Sequence, residues 1–203
     1  MDPRRIKKAE TRQRLIDVTA QTLATGRSFD TLSLREVSKL AGIPPTSFYR
    51  HFHDLNDLGM ALIEEHRNAL IVLMENVRGQ FDSGQSLIRS SVEAVFEFIS
   101  DNQGVSRMIV QESMSPGSPF RDASESVFLS MASDLADYLE KDAEQRQVPV
   151  GYPKLAANAM LSIMFTTGIA LLHSPAVDRD RHINAAVIKL RMIMHGAETL
   201  GAR

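Results

Sequence analysis

Cysteine and tryptophan are both absent from this chain of 203 residues, and only 6% of its residues are aromatic. The lack of cysteine excludes disulfides, thiolate nucleophiles and cysteine-based zinc sites, and it suits a reducing cytoplasm. Of the six histidines, two are separated by one residue in a segment whose other features indicate DNA binding, and the other four show no ligand spacing with nearby carboxylates. No Ser-His-Asp arrangement, pair of catalytic carboxylates or glycine-rich phosphate loop stands out either. We therefore expect no metal, no cofactor and no enzymatic activity.

Long apolar runs are also scarce. The basic N-terminal segment leads into an amphipathic pattern and not into the apolar run of a signal peptide. The most apolar stretch, residues 156–172, is interrupted by asparagine, serine and threonine and is only just long enough to cross a membrane. We expect this stretch to be a buried helix, and we expect no membrane insertion.

Apolar residues recur at helical spacing along most of the chain, and no alternating pattern of the kind found in strands competes with them. Breaks rich in glycine, proline and serine separate these segments. The sequence therefore predicts an all-α fold. Outside residues 33–53, the expected helices cover residues 7–25, 54–77, 85–100, 105–112, 119–145, 153–173 and about 180–200.

The run SLREVSKLAGIPPTSFYRHFH contains two short helical patterns separated by a turn. Ser33 and Glu36 have the spacing of a capping box, in which each side chain satisfies a free amide at the helix start. Gly42 suits the left-handed residue that ends such a helix, and prolines suit the first turn of the next one. We expect the second helix to cover about Pro45–His51, which is the arrangement of a helix-turn-helix that reads DNA.

The second helix divides into a core side and a donor side. Phe48 and Phe52 lie four residues apart and can pack into the core, while hydroxyl, guanidinium and imidazole groups remain free for phosphates and base edges. Arg50 is the best candidate for base readout, because its fork can bind guanine in a bidentate manner. An ordinary surface helix is the alternative, since short motifs also occur by chance. The candidate DNA contacts are Ser33, Arg35, Pro45, Thr46, Ser47, Tyr49, Arg50 and His51.

Charge is distributed unevenly between the two ends of the chain. Residues 1–53 hold ten Lys or Arg and five acids, a net charge of +5, whereas residues 54–203 carry a net charge of −7. This division favours a small basic head that meets a polyanion and a larger acidic body that does not. For the first basic residues of the chain, a soluble and frayed terminus is the alternative to phosphate contacts.

The segment over residues 31–58 resembles the DNA-binding domain of the TetR family of bacterial transcription regulators. Within that family, SLREV and AGIPPTSFYRHF are most similar to the DesT and FabR branch, repressors of unsaturated fatty acid genes that respond to acyl thioesters. The similarity extends into IRSSVE, FEFISDN and KLRMI. The resemblance implies a cytoplasmic all-helical homodimer on palindromic operator DNA. It implies a three-helix head over residues 1–53 and a helical-bundle body for ligand binding and dimerisation over residues 54–203.

The last two expected helices each carry an apolar face. A four-helix interface around a two-fold axis, built from the last two helices of each chain, would bury both faces. Intramolecular core is the alternative, because an apolar stripe does not name its partner. The resemblance favours the dimer. The stripe on the last helix consists of Ile183, Ala186, Val187, Leu190, Ile193, Met194 and Ala197, and that on the preceding helix of Ala156, Met160, Ile163, Met164 and Gly168.

The central segments are rich in phenylalanine, methionine and leucine. Methionine packs irregular shapes, so these segments are compatible with a cavity for a flexible hydrophobic ligand as well as with plain core. The resemblance implies long-chain acyl-CoA as the regulatory ligand, with arginines at the mouth for its phosphates. Surface salt bridges are the alternative role of these arginines. The candidate ligand residues are Met74, Arg89, Phe96, Ile99, Arg107, Met108, Arg121, Phe128, Met131 and Phe165.

Three functions remain in competition at this point. The first is a repressor of genes for fatty acid desaturation and unsaturated fatty acid synthesis. The second is a TetR-type repressor of the multidrug kind or with another hydrophobic ligand, which an apolar cavity would accept equally well. The third is a helical enzyme or carrier that binds acyl thioesters, although this function leaves the basic head unexplained.

Overall fold

The computed structural model describes residues 3–80 and 85–202, and every regular element in that part of the chain is helical. The all-α prediction is therefore confirmed. Two short 3₁₀ turns, Phe29–Thr31 and Ala176–Asp178, lie between the α-helices. The α-helices of the described residues are α1 Pro3–Ala24, α2 Leu34–Leu40, α3 Pro45–Phe48, α4 Leu55–Gln80, α5 Gln85–Asp101, α6 Gln103–Met114, α7 Arg121–Arg146, α8 Pro153–His173 and α9 Arg179–Gly201.

Most helix boundaries follow the sequence signals. α8 covers the predicted residues and has proline in its first turn, where a missing amide hydrogen costs nothing. α4 begins after Asp54, whose Oδ1 accepts a hydrogen bond of 2.8 Å from the Asp57 amide. That bond satisfies one of the four amides that a helix start leaves without an intrahelical partner.

The recognition helix α3 is shorter than the sequence predicts. We expected it to reach His51, but regular α-helix ends at Phe48. Beyond that point the chain tightens: the Arg50 amide donates to the Ser47 carbonyl at 3.2 Å, and the His51 amide donates to the Phe48 carbonyl at 2.9 Å. These two bonds span three residues, as in a 3₁₀ turn, whereas the Phe52 amide donates to the Phe48 carbonyl at 3.1 Å across four residues, so α3 ends in an irregular turn.

The first of two compact units comprises Met1–Ala69 and Asn102–Ser124. Within it, α1 packs against α2 and also against α6, which follows much later in the sequence. Leu15 and Leu23 of α1 are buried in its core. The α1–α6 contact is close because Gly104 carries no side chain: a Cβ at this position would lie 2.4 Å from the backbone nitrogen of Ala24.

The second compact unit comprises Leu70–Asp101 and Glu125–Arg203. α9 packs against α5 and α8 around a continuous apolar core. Its expected dimer stripe lies inside this core: Ala186 and Val187 are at most 1% exposed, and Met160 on α8 is 6% exposed. The prediction that these stripes face a partner subunit is therefore wrong, because α5, α8 and α9 of the same chain cover one another.

Both α4 and α7 contain residues of each unit, so the chain passes between units inside helices. The division at residue 53 separates two predicted functions, whereas the compact units are defined by packing. The functional division therefore stays a prediction.

By length and mean hydropathy alone, α8 could cross a membrane, and it is the one such helix among residues 3–80 and 85–202. An apolar window in α8 with mean hydropathy 1.8 is only 33% buried in the chain. Its buried part, which includes Ala157 and Leu172, packs within the second unit. A core helix of a soluble protein also passes this test, so the observation is weak evidence for a membrane.

Candidate nucleic-acid interface

Two local hydrogen-bond patterns define the ends of α2. At the start, the Glu36 amide donates to Ser33 Oγ at 3.2 Å, which confirms half of the expected capping box. At the end, Gly42 adopts φ +66°, and its amide donates to the Lys39 carbonyl at 3.1 Å. The Ile43 amide then donates to the Ser38 carbonyl at 3.0 Å, which completes a Schellman turn. This turn directs the chain into α3.

The other half of the capping box is replaced by an ion pair. The Glu36 carboxylate does not turn back to the helix start but binds the Arg27 guanidinium, with one Nη2–Oε2 contact of 3.2 Å. The hydrogen bond from Arg27 lowers the pKa of Glu36. Because this pair is exposed, we expect it to contribute little to stability. The ion pair holds the segment around Arg27, which precedes α2, against α2.

Aromatic packing anchors residues 45–52, the recognition segment, to the core. Phe48 and Phe52 are 0% and 2% exposed, and their ring centroids lie 5.8 Å apart. The Arg12 guanidinium lies over the Phe52 ring at 4.9 Å from its centroid and also pairs with Glu65 at 3.8 Å. Arg14 donates a long hydrogen bond of 3.5 Å to the Ala41 carbonyl in the turn. These two arginines, counted in the basic head by sequence, therefore act in part as supports for the motif.

Most of the predicted DNA contacts are accessible. Tyr49 is 63% exposed, and Arg50 is exposed beside it. Thr46 and Pro45 are exposed at the start of α3, whereas Ser47 is half-buried. Ser33 and Arg35 are exposed at the start of α2.

The positively charged side chains of this surface can bind a polyanion. No carboxylate among residues 3–80 and 85–202 pairs with Arg35, Lys39 or Arg50, in contrast to Arg27. Guanidinium and ammonium groups are common phosphate ligands in protein–DNA interfaces. The surface therefore combines cations with a hydroxyl-bearing aromatic ring.

His51 differs from its neighbours in being half-buried. Its Nδ1 is enclosed and has no hydrogen-bond partner in the described part of the chain. Burial lowers the pKa of His51, and the charges of Lys8, Arg12 and Arg50 lower it further. Both effects favour the neutral imidazole over its charged form. The three nearby cations also favour binding of an anion at this end of the motif.

The candidate ligand residues fall into both units. In the first, Met108 is buried and Arg107 is half-buried on α6, while Arg121 is exposed at the start of α7. Arg107 and Met108 line a cleft of about 30 Å³ beside Phe29 and Gln111. A cleft of that volume holds about one water molecule, so it does not accommodate an acyl chain.

In the second unit, Phe96 is completely buried in the core, and Ile99 packs against that core beside Gly168. Arg89 is already engaged, because it donates to Glu93 at 3.2 Å and to Asn184 at 3.0 Å. Phe128 and Phe165 meet edge to face with centroids 6.4 Å apart.

Met74 and Met131 are both half-buried in this unit. Apolar side chains left half-covered in this way are compatible with a ligand site.

Sequence reasoning missed three arrangements. The Arg78 guanidinium stacks on the Tyr138 ring, His66 Nε2 lies 3.5 Å from Ser106 Oγ, and Phe120 packs edge to face on Phe29. Each joins residues far apart in the chain, so periodicity gave no signal for the pairing. The available hint was local: Arg78 lies one helical turn beyond the candidate ligand residue Met74.

No group of three or more His, Asp or Glu side chains in the described ranges is arranged to hold a metal ion.

Comparisons with known proteins complete the description of the site. No family model matches the chain. An uncharacterised helix-turn-helix-type transcriptional regulator of Haemophilus influenzae is 35% identical over 195 residues, covering 96% of this chain and 94% of that protein. A TetR-family regulator of Streptomyces coelicolor shares the fold with a TM-score of 0.73 at 16% identity, over 94% of this chain and 97% of that one. RolR, solved in complex with resorcinol, gives a TM-score of 0.64 at 19% identity, over 97% and 95% of the two chains.

Proposed function

Because the chain belongs to the helix-turn-helix-type transcriptional regulators and shares the fold of TetR-family members, we propose that it represses genes by binding a palindromic operator as a homodimer. The observation that carries the proposal is the exposed recognition segment. It presents Tyr49 and Arg50 on an anchored turn, and no carboxylate of the described residues pairs with Arg35, Lys39 or Arg50. We propose that Arg50 reads a base edge while Ser33, Arg35 and the hydroxyls of α3 hold phosphates.

A single short recognition helix gives little affinity, so the proposal requires two heads. Two-fold symmetric dimers place such heads in successive major grooves about 34–36 Å apart, which matches a palindrome. The operator DNA lies in the cytoplasm, and the homodimer would be the species that binds it there.

We propose that the dimer forms through the last two helices, by a different face from the one suggested by the sequence. The outer sides of α8 and α9 carry apolar side chains that the chain itself leaves uncovered, and α8 as a whole is only one-third buried in its apolar window. Large exposed apolar faces of this kind mark interaction surfaces. The side chains are Leu155, Phe165, Ile188, Met192 and Leu200, each between 37% and 69% exposed.

We further propose that the regulated genes serve fatty acid desaturation and unsaturated fatty acid synthesis, and that long-chain acyl-CoA tunes operator affinity. The half-buried apolar side chains Met74, Phe128 and Met131 support a site for a long hydrophobic ligand. RolR was solved with the small aromatic molecule resorcinol, so a repressor with a different hydrophobic ligand is the competing proposal. Any regulating ligand has to bind the DNA-competent and DNA-incompetent states unequally.

The experiment is a fluorescence-anisotropy titration of the protein on the promoter nearest its gene, with palmitoyl-CoA and oleoyl-CoA added separately. Opposite effects of the two ligands would support the lipid proposal. Specific binding that neither ligand changes would leave a repressor without the lipid assignment. No binding at low salt would refute the repressor.

The role of Arg50 is tested in the same assay. We expect Arg50→Ala to weaken operator binding at least about tenfold, since a bidentate base contact contributes about 1–3 kcal/mol of discrimination per subunit. Lys141→Ala removes an equally exposed charge from α7 and serves as the control, for which we expect unchanged affinity. Wild-type affinity of a folded Arg50→Ala protein would remove Arg50 from the interface.

A further inference from the structure

Three helices of the second unit bring half-buried side chains together along one line. On α7, Phe128, Met131, Leu135 and Tyr138 follow the three-four spacing of one helix face. Contacts at both ends of this face define its neighbours: Phe165 of α8 meets Phe128, and Arg78 of α4 meets Tyr138.

The four side chains on α7 and Arg78 are half-buried, and Phe165 is 37% exposed. From Phe128 to Tyr138 the helix rises about 15 Å, at about 1.5 Å per residue. This is the length scale of a fatty acyl chain. The α7 face is therefore an apolar track that ends in aromatic rings at one side and in a cation at the other.

The cation at the end of this track, Arg78, has no hydrogen-bonding partner among the described residues. The Arg78 guanidinium carbon lies 4.3 Å from the Tyr138 ring centroid, so the ring occupies one face of the guanidinium. No hydrogen bond or salt bridge to its N–H groups is found within residues 3–80 and 85–202, and the Tyr138 hydroxyl likewise has no partner there.

The carboxylates of Asp134 and Glu75 act on Arg78 only from beyond salt-bridge distance. Burial lowers the pKa of Arg78, although an arginine remains charged at any physiological pH. A half-buried guanidinium normally has carboxylate or carbonyl oxygens on its fork, because desolvated N–H groups without partners are costly. At Arg78 those positions are open to a ligand.

We propose that Arg78 and Tyr138 bind the anionic end of the regulatory ligand, and that the α7 face from Leu135 to Phe128 binds its apolar chain. The ligand class is an acyl chain that carries a carboxylate or phosphate. This inference rests on the proposed ligand-controlled repressor and identifies the anchor of its ligand. It also replaces Arg89 in that role, because the Arg89 guanidinium already donates to Glu93 and Asn184.

The test uses cis-parinaric acid, a fluorescent fatty acid, together with its uncharged methyl ester. We expect wild-type protein to bind the acid, and Arg78→Met to weaken that binding about ten- to a hundredfold while binding of the ester changes little. These fold-changes correspond to the loss of a charge-assisted hydrogen-bond pair. Arg78→Lys keeps the charge and should recover part of the affinity, whereas a merely structural arginine would show no preference for the acid.

The matched control is Arg181→Met, which removes an exposed arginine from α9. Circular dichroism identifies any variant that fails to fold, and Arg78→Lys keeps the test available if Arg78→Met does so. A competition experiment then identifies the anionic group. If oleoyl-CoA displaces parinaric acid at a lower concentration than oleate does, the anion is a phosphate of the thioester; if oleate is the stronger competitor, the anion is a free carboxylate.

Wild-type binding of the acid by folded Arg78→Met would overturn the proposal, and so would equal losses for acid and ester. No saturable binding by the wild-type protein would also overturn it. Operator binding by that same preparation would show that the repressor proposal stands independently.

Discussion

Gly104 is where α6 approaches α1 most closely, and its replacement by alanine is a stringent test of that packing. The added Cβ would lie 2.4 Å from the Ala24 nitrogen, 2.4 Å from the Leu23 carbonyl carbon and 2.7 Å from the Leu23 oxygen. All three are backbone atoms, so no side chain can rotate to relieve the overlap. The helices themselves have to separate by about 1 Å to restore ordinary van der Waals contact.

The expected cost follows from two opposing effects. Overpacking in a well-packed interior typically costs about 1–3 kcal/mol, and a rigid backbone neighbour places Gly104→Ala at the upper end of that range. Replacing a helical glycine by alanine returns up to about 1 kcal/mol of helix propensity. We therefore expect the free energy of unfolding to fall by about 2 kcal/mol.

Urea denaturation followed by circular dichroism at 222 nm measures this loss. With a urea dependence of about 1–3 kcal/mol per molar, the midpoint should fall by roughly 1 M at matched protein concentration. Gly79→Ala is the control, because a Cβ at Gly79 would meet nothing within 4 Å. Its helix should become slightly more stable, by about 0.5–1 kcal/mol. A Gly104→Ala protein as stable as wild type would refute the close α1–α6 approach.

Two further predictions concern a buried histidine and the dimer. Burial lowers the pKa of His66 to about 4, so the unfolded chain, whose imidazole titrates near 6.5, binds the additional proton between these values. The free energy of unfolding should therefore fall as pH drops from about 6.5 to 4, by up to roughly 3 kcal/mol, and urea midpoints of wild type and His66→Gln should converge; parallel pH profiles would contradict this. Met192, which is 69% exposed on α9, lies on the proposed dimer face, so Met192→Asp should shift the mass measured by sedimentation equilibrium towards the monomer. An unchanged dimer would exclude that face, and Lys141→Asp is the control on an exposed part of α7.

Local chemistry explains which parts of the structure could be predicted from the sequence. The cap at Ser33, the left-handed Gly42 and the proline start of α8 each depend on residues a few positions apart. Such features are set by backbone geometry that any tertiary context has to accept.

The predictions that were wrong or incomplete concern features that depend on contacts beyond the local sequence. The apolar stripe on α9 exists as predicted, but periodicity does not say whether the surface that covers it belongs to the same chain or to a partner. In this structure α5 and α8 of the same chain cover it. α3 ended early because the chain after Phe48 closes into tighter turns before α4. The stacking of Arg78 on Tyr138 depends on two helices meeting, which neither segment encodes alone.

The packing of α6 on α1 has a consequence for attempts to exchange the DNA-reading part of this protein with that of another regulator. A chimera that transplants only residues 1–53 would leave behind the α6 surface on which its first helix rests, including the Gly104 notch. A recipient with any residue other than glycine at that position would present a side chain where this α1 requires bare backbone. The transferable module is therefore discontinuous, and a graft that retains specificity and stability has to carry Asn102–Ser124 together with Met1–Ala69.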